Sequence, residues 1–185
     1  MKFIFKNRSV VSALFLSLLW VYPVSVTAQT CNSAVEETTP TSDFTLNNDG
    51  TVTHAKTGLT WKVCSEGQTW NSADGSCSGS ATAYNWQAAL QAVTSLNTQG
   101  GYAGHSDWRM PNVKELASII EFKCYEPSIN LDVFKNMANN AYYWSNSPKI
   151  GDDAASLGVY FLRGELWSSD RDGNQLFIRL VRGGE

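Results

Sequence analysis

The chain has 185 residues, of which 43% are hydrophobic and 17% are charged. This length accommodates one domain with a substantial core but not comfortably two. The formal net charge is −3, from 14 basic and 17 acidic residues. Such an acidic chain is poorly suited to nucleic acid or to an anionic membrane surface, so we expect neither as a partner.

The N-terminal segment has the three parts of a secretory signal peptide. Basic residues in the first eight positions precede an apolar run at 10–20, and a small-residue site follows at Val26-Thr27-Ala28. A membrane anchor needs roughly 20 apolar residues, so we predict a signal peptide at 1–28 and no membrane insertion after cleavage. Cleavage leaves 11 basic and 17 acidic residues, a net charge of −6. We expect a periplasmic or extracellular location.

The cysteines all follow the predicted cleavage site, at Cys31, Cys64, Cys77 and Cys124. An even number in an exported chain predicts two disulfides, and three pairings are open. We favour Cys64 with Cys77, because they bracket a polar loop, and therefore Cys31 with Cys124. The segment 29–42 is expected to be extended. A zinc site is the alternative, but the sequence has no short two-cysteine spacing and only two histidines.

Turn residues divide the next stretch into short strands. The turn Asn47-Asn48-Asp49-Gly50 separates 44–46 from 51–53, and Asp-Gly supplies the positive φ angles of tight hairpins. A second turn at Thr57-Gly58 leads into a strand over 59–63. Alternation along that strand predicts one buried face, made by Leu59, Trp61 and Val63.

Two helices are predicted in the middle of the chain. Apolar residues at three- and four-residue spacing predict the first over 84–97, ended by Gly100-Gly101. The second is predicted over 113–122, where Asn112 and Glu115 have the spacing of a capping box. Its buried face is expected to contain Leu116, Ile119 and Ile120.

After Cys124 the pattern changes to short strands. They are predicted at 141–145, 157–162, 165–167 and 176–182. Strands, then two helices, then more strands are typical of an α+β fold, here stapled by disulfides.

Three stretches, in this order, resemble a known family. The first joins Asn48-Asp49-Gly50-Thr51-Val52-Thr53 to Thr57-Gly58-Leu59-Thr60-Trp61, and the second runs from Asp107 to Leu116. The third combines Tyr143-Trp144-Ser145 with Val181-Arg182-Gly183-Gly184. Together they resemble the Lcl C-terminal domain family, named after the C-terminal part of the Legionella collagen-like adhesin. We assign such a domain to residues 43–185.

The resemblance implies a C-type-lectin-like fold with two helices and a twisted antiparallel sheet. Because the namesake adhesin is linked to glycosaminoglycan binding and cell attachment, it also implies a non-catalytic binding role. The partner would be a glycan or an envelope or host-surface protein. The net charge of −6 argues against glycosaminoglycans. The Trp86 helix and Arg109-Met110-Pro111 additionally resemble elements of formylglycine-generating-type enzymes.

Two tryptophans are candidates for ligand binding. Trp70 lies inside the loop between Cys64 and Cys77, and Trp167 precedes Ser168-Ser169-Asp170. An exposed indole ring can stack on a sugar while nearby carboxylates, here Asp170 and Asp172, bond its hydroxyls. The other tryptophans after residue 28 lie on periodic elements and are expected in the core: Trp61, Trp86, Trp108 and Trp144.

Oxygen-rich runs raise the question of calcium. Asp152-Asp153 and the run 170–174 supply carboxylates, but neither fits a complete EF-hand loop. Ordinary turns are the simpler interpretation, and a calcium ion bound by Asp152 and Asp153 is the alternative. No other cofactor is expected.

The remaining polar candidates favour structural roles. Arg109 is interpreted as an anchor that bonds loop carbonyls or the neighbouring aspartate, rather than as an anion-binding group. Arg179 and Arg182 are expected to be solvated or paired. No catalytic residue is assigned, because His54 and His105 lack a partner motif. Disulfide formation would also remove the thiols that formylglycine-generating enzymes use.

We therefore expect an exported, non-enzymatic binding domain, and recognition of surface glycans in adhesion is the leading hypothesis. A protein-interaction or structural module of the envelope is the second hypothesis. An enzyme of the formylglycine-generating type is the third. The sequence leaves the ligand and the oligomeric state open.

Overall fold

The computed structural model describes residues 28–138 and 142–184, so most of the predicted signal peptide lies outside the described residues. It contains two α-helices, α1 at Trp86–Thr98 and α2 at Val113–Ala117, and one 3-10 turn at Thr41–Asp43. The strands are β1 (Thr30–Cys31), β2 (Phe44–Leu46), β3 (Thr51–His54), β4 (Leu59–Lys62), β5 (Thr69–Asn71), β6 (Ser76–Ser78), β7 (Cys124–Tyr125), β8 (Tyr142–Lys149), β9 (Asp152–Tyr160), β10 (Glu165–Asp170) and β11 (Val181–Arg182).

These strands form four antiparallel sheets. The largest has the order β11-β4-β3-β2, and a three-stranded sheet has the order β10-β9-β8. Two smaller sheets pair β1 with β7 and β5 with β6. The predicted α+β class with two helices is confirmed, whereas the C-type-lectin-like fold stays a prediction.

The first hairpin forms where its turn residues predict it. β2 pairs with β3 from Phe44–His54 to Leu46–Val52. The turn between them contains Asn48 at φ 61° and Gly50 at φ 85°, the left-handed conformation that Asn and Gly tolerate best. In β4 and just after it, the alternating residues Leu59, Trp61 and Val63 are buried, as predicted.

The first helix is confirmed with a shift of its start. α1 begins after Asn85, whose side chain accepts a hydrogen bond from the Ala88 N–H at 2.8 Å. At its other end the Gly101 N–H donates to the Leu96 carbonyl at 2.9 Å, and both Gly100 and Gly101 have positive φ.

The second helix is shorter than predicted. Its predicted capping box is present, because Asn112 accepts from the Glu115 N–H and Glu115 accepts from the Asn112 N–H. However, α2 ends at Ala117, where the Ser118 hydroxyl donates to the Glu115 carbonyl at 2.7 Å. Three residues after Ser118, the Glu121 carboxylate accepts hydrogen bonds from the backbone N–H groups of Thr38 and Thr39, so the prediction of a helix to 122 was wrong. Buried Ile119 and Ile120 pack after the helix rather than on it.

The prediction of a strand over 176–182 was also mostly wrong. Only Val181–Arg182 of the predicted 176–182 forms a strand, because this segment crosses from one part of the fold to another. Leu176 bridges to Tyr84, Phe177 bridges to Tyr143, and Val181 bridges to Arg109.

The three-stranded sheet is longer than the sequence predicted. β8 and β9 turn at Ile150-Gly151, so the polar residues from Asp152 onward continue the strand. Their inward positions are filled by small residues, since Ala155 is 6% and Ser156 is 0% exposed. Apolar alternation could not reveal these strand positions.

Two hydrophobic cores lie on the two faces of this sheet. Consecutive β8 residues alternate between them, with Tyr143 in the larger core and Trp144 in the smaller one. The larger core joins the sheet β11-β4-β3-β2 to Leu116, Ile119 and Phe134. The helix α1 covers the smaller core and contributes Ala89 and Val93 to it. The other buried members of this core, besides Trp144, are Trp108, Met110, Ile178 and Leu180.

Both disulfides connect the pairs that the sequence favoured. Cys64 pairs with Cys77, and Cys31 pairs with Cys124. The second bond fastens the segment 29–42 to the body of the domain, where β1 pairs with β7. Thr38 and Thr39 add hydrogen bonds to the Glu121 carboxylate, so the predicted extended segment is an ordered part of the fold.

Candidate functional site

The register of the three-stranded sheet brings together aromatic residues that are far apart in sequence. Tyr160 of β9 lies opposite Tyr142 of β8 on one side and Glu165 of β10 on the other. Two residues along the sheet, Gly158 lies between Trp144 and Trp167. Because opposite residues and every second residue share a face, all six positions lie on one face of the sheet.

Three aromatic rings on this face contact each other, and we call Tyr142, Tyr160 and Trp167 the aromatic face. The Tyr142 and Tyr160 rings are stacked, with centroids 4.0 Å apart and planes 10° apart. The Trp167 ring is tilted against Tyr142 at a centroid distance of 5.5 Å. Trp167 is 45% exposed, so a continuous aromatic surface meets the solvent.

The aromatic face has a rigid support. Trp144, on the same face, is fully buried, and its indole N–H donates to the Tyr84 carbonyl at 2.9 Å. The Trp86 indole N–H donates to the Ser145 carbonyl at the same distance. At Gly158 an added Cβ would collide with the Tyr143 carbonyl oxygen, so only glycine permits this close strand approach.

Polar groups border the aromatic face. Glu165 is exposed beside Tyr160. Partial burial, and after it the neighbouring Tyr142, raises the pKa of Tyr160 above its ordinary value. The Tyr160 hydroxyl is therefore protonated at neutral pH and can donate a hydrogen bond as well as accept one.

The structure places Trp70 elsewhere. Trp70 lies on β5, where it is half-buried and lines a cavity of about 300 Å³ together with Val63 and Val133. Its ring packs against Gly50, because a Cβ on that glycine would lie 2.8 Å from Trp70 Cγ. The two candidate tryptophans therefore belong to different sheets and do not form one site.

The candidate carboxylates are also not brought together. Asp170 accepts hydrogen bonds from the backbone N–H groups of Gly173 and Asp172, at 2.7 and 2.9 Å. These two bonds, that of Gly173 first, hold the pKa of Asp170 below its ordinary value. Its bonded oxygen thus stabilises a turn, and the Asp172 side chain is exposed beyond it.

Asp152 and Asp153 are consecutive residues of β9, so their side chains lie on opposite faces of the sheet. Asp152 pairs with Lys149 at 3.2 Å. Within residues 28–138 and 142–184, no group of three or more His, Cys, Asp or Glu side chains has a metal-binding arrangement. Calcium binding stays a hypothesis with no ligand set among these residues.

Comparison with known protein families gives a match that contains this whole surface. Residues 50–182 match the model of the Lcl C-terminal domain. The chain belongs to the Lcl C-terminal domain family. The match runs from Gly50 at the first hairpin to Arg182 in β11, and it includes every residue of the aromatic face. None of the curated proteins compared with this chain matches it. Membership indicates a domain associated with adhesins.

The Lcl C-terminal domain uses its arginines to hold the fold together. Arg109 is an anchor, as predicted, but its carboxylate partner is Glu115 rather than Asp107. Asp107 instead pairs with Arg182 at 2.9 Å.

Arg179 differs from the prediction of a solvated or paired side chain. It is fully buried, and no carboxylate pairs with it among the described residues. Its guanidinium donates to the backbone carbonyls of Lys62 and Val63 and lies 4.8 Å from the Phe134 ring centroid. Burial lowers its pKa below the ordinary value. Lys62 is the last residue of β4, so the guanidinium satisfies two carbonyls at the end of this strand inside the core.

The cysteines and His54, which were considered as catalytic groups, have structural roles. All four cysteines are in disulfides, so the oxidised chain has no free thiol for formylglycine-type chemistry. His54 is buried, stacks on Phe44 at 4.5 Å and contacts the Thr57 hydroxyl at 3.1 Å. Burial lowers the pKa of His54. The absence of enzymatic activity stays a prediction.

Two disulfides are typical of proteins in an oxidising compartment, which fits an exported Lcl C-terminal domain. No helix in the described part of the chain is both long and apolar enough to span a bilayer.

Sequence reasoning found Trp167 but missed Tyr142 and Tyr160. Both tyrosines lie inside predicted strands, Tyr142 in 141–145 and Tyr160 in 157–162, and their alternation with Trp144 and Gly158 is visible in the sequence. Their contact depends on strand register, which follows from the turns at 150–151 and 161–164 together.

Proposed function

We propose that this exported Lcl C-terminal domain binds saccharides on the aromatic face and thereby contributes to adhesion. The observation that carries the proposal is the contact of Tyr142, Tyr160 and Trp167 on one exposed sheet face. Membership of an adhesin-associated family supports a role in surface binding.

The chemistry of this face suits a sugar. A pyranose ring has an apolar C–H face, which packs on an aromatic ring, and hydroxyls at its edge. Trp167 offers an exposed ring, while the tyrosine hydroxyls and the exposed Glu165 carboxylate can bond hydroxyls. Aromatic side chains have few rotatable bonds, so binding costs little conformational entropy.

Charge narrows the class of saccharide. The chain after residue 28 has a net charge of −6, and Glu165 adds a negative charge beside the aromatic rings. Sulfated or carboxylated polymers would be repelled. We therefore propose neutral sugars or amino sugars as the ligands.

The direct experiment is a glycan array probed with the exported chain, followed by titration of the best glycan while tryptophan fluorescence is recorded. We expect Trp167→Ala to weaken binding about 5- to 30-fold, the loss that corresponds to one stacked ring at about 1–2 kcal/mol. The matched control is Leu166→Ala, the neighbouring residue of β10 on the opposite face, which is 63% exposed. This variant should bind as the wild type does.

Each outcome bears on a different part of the proposal. If no neutral or amino sugar binds above background, saccharide recognition is wrong. If a sugar binds but Trp167→Ala and Leu166→Ala bind equally well, the aromatic face is the wrong surface. A parallel titration with a calcium chelator should give unchanged affinity, whereas a loss would revive the calcium hypothesis.

A further inference from the structure

Strand β10 has an open outer edge. In the sheet order β10-β9-β8 it lies outermost. The opposite edge, on β8, is bonded to Phe177, whose N–H donates to the Tyr142 carbonyl at 3.0 Å and whose carbonyl accepts from Trp144 at 2.9 Å. In the described ranges no backbone group bonds to the outer edge of β10.

The register shows which groups of this edge are free. The Arg171 N–H donates to the Ala154 carbonyl at 2.8 Å, and hydrogen-bonded pairs alternate along an antiparallel ladder. Glu165, Trp167 and Ser169 therefore direct their backbone groups toward β9. Leu166, Ser168 and Asp170 direct theirs outward, where no backbone group of residues 28–138 or 142–184 bonds them.

The middle of this strand lacks the usual protections against edge pairing, since its charged residues, Glu165 and Asp170, lie only at its two ends. β10 pairs with β9 over six consecutive residues without a bulge, and it contains neither proline nor lysine. Leu166 is 63% and Trp167 is 45% exposed. A regular edge with exposed apolar side chains is a template for another strand.

The strand is complementary to itself. If two copies pair antiparallel with Ser168 opposite Ser168 of the partner subunit, every outward residue meets an outward residue. Glu165 then lies opposite Arg171 of the partner subunit, and Leu166 lies opposite Asp170 of the partner subunit. No like charges are directly opposed, which a shifted register would not guarantee. Trp167 and the partner subunit's Trp167 become diagonal neighbours, at roughly 7 Å.

We propose that the chain forms a two-fold homodimer in which β10 pairs antiparallel with β10 of a second copy, centred on Ser168. The dimer has one continuous six-stranded sheet. Because the two-fold axis is perpendicular to this sheet, both aromatic faces lie on the same side. Two ligand-binding surfaces side by side would bind a repeating surface polymer more tightly than either alone. The dimer itself does not depend on what the aromatic face binds.

Sedimentation of the purified exported chain over a range of concentrations tests the proposal. We expect a dimer for the wild type. Ser168→Pro removes the two central donors, one from each copy, and should raise the dimer dissociation constant roughly 10- to 30-fold. Ser168→Ala keeps the N–H and should dimerise as the wild type does. Near-ultraviolet circular dichroism checks that each variant is folded.

A charge pair keeps the test decisive if the proline variant misfolds. Ser168→Lys and Ser168→Glu should each be monomeric, since each places like charges opposite one another, and an equimolar mixture of the two should dimerise. A wild type that is monomeric at every concentration overturns the proposal. So does a dimer that neither the proline nor the lysine variant weakens, because its interface must lie elsewhere. Sedimentation needs no sugar, so failure of saccharide binding is a separate result.

Discussion

Arg109 and Glu115 form a two-pronged ion pair at the entrance to α2. The two guanidinium nitrogens donate to the two carboxylate oxygens at 2.8 and 2.7 Å. The same carboxylate accepts from the Asn112 N–H at 2.7 Å, and Arg109 also donates to the Gly183 carbonyl at 2.8 Å. One pair therefore joins a helix start, a loop and the C-terminal segment.

Glu115→Gln tests how much this ion pair contributes to the free energy of unfolding. The substitution keeps the shape of the side chain but loses its charge, so both charge-assisted bonds weaken. We expect unfolding in urea to show a loss of about 1–2 kcal/mol. The control is Asp107→Asn, which breaks a pair with Arg182 where the aspartate side chain is 57% exposed; it should cost less than about 1 kcal/mol. Equal losses in the two variants would contradict the prediction.

Arg179→Lys should be more damaging than a conservative change suggests. The guanidinium of Arg179 reaches the carbonyls of Lys62 and Val63 and the Ser65 hydroxyl together, and an ammonium group cannot reproduce this fork. We expect a loss of about 2–4 kcal/mol in the free energy of unfolding. Arg182→Lys is the matched control, because the Arg182 side chain is partly exposed and donates to the Asp107 carboxylate at 2.9 Å. A loss below that of the control would show that the fork is unimportant.

Local signals in the sequence predicted the local features of this fold. Asn48 and Gly50 mark the first turn, and Asn112 with Glu115 marks the start of α2, because turns and caps depend on residues a few positions apart. The end of α2 at Ala117 depends on Glu121 bonding Thr39, 82 residues away. Tyr142 and Tyr160 likewise meet through the register between β8 and β9. Arg179 lies in the core because the carbonyls of Lys62 and Val63, more than 100 residues earlier in the chain, accept its hydrogen bonds there. Such contacts are set by the tertiary fold, so sequence spacing could not reveal them.

Stability should fall in acid because of two carboxylates, the buried Glu121 and the half-buried Glu115. Burial opposes the ionisation of Glu121, but hydrogen bonds from Lys123, Thr39 and Thr38 outweigh it and hold its pKa below the ordinary 4.5. For Glu115 burial is likewise outweighed, here by Arg109, and the pKa is again lowered. As the pH falls, Glu115 and Glu121 therefore bind protons in the unfolded chain before they do so in the folded one. The stability that these two carboxylates contribute is complete above about pH 4.5 and is lost below it.

Urea unfolding between pH 7 and pH 3 measures this loss. Glu121→Gln should be less stable than the wild type at pH 7 and should show a shallower decline below about pH 4.5, because one of the two linked groups no longer titrates. Glu165→Gln, an exposed carboxylate on β10, should leave the decline unchanged. A wild-type slope in the Glu121 variant would rule out its role.

Removal of the two disulfides should have unequal effects. Cys31 and Cys124 are 93 residues apart, and Cys64 and Cys77 are 13 apart. A crosslink that closes a longer loop removes more conformational entropy from the unfolded chain. On this basis the Cys31–Cys124 bond should stabilise the fold by roughly 4–5 kcal/mol and the Cys64–Cys77 bond by roughly 3 kcal/mol. Replacing each pair by alanine and comparing unfolding midpoints tests the order. A greater loss for the short loop would mean that native packing, and not chain entropy, dominates.

Gly50 is confined by two aromatic side chains as well as by its backbone conformation. An added Cβ would collide with the Tyr102 hydroxyl and lie 2.8 Å from Trp70 Cγ, whereas at Gly58 no atom lies within 4 Å. Both glycines have positive φ, 85° and 70°, so alanine is strained at either position by about 1–2 kcal/mol. Gly50→Ala should cost a further 1–3 kcal/mol or so from overpacking. Thermal unfolding of the two variants isolates this difference, because Gly58→Ala carries only the backbone strain. Equal melting temperatures would show that Tyr102 and Trp70 move aside without cost.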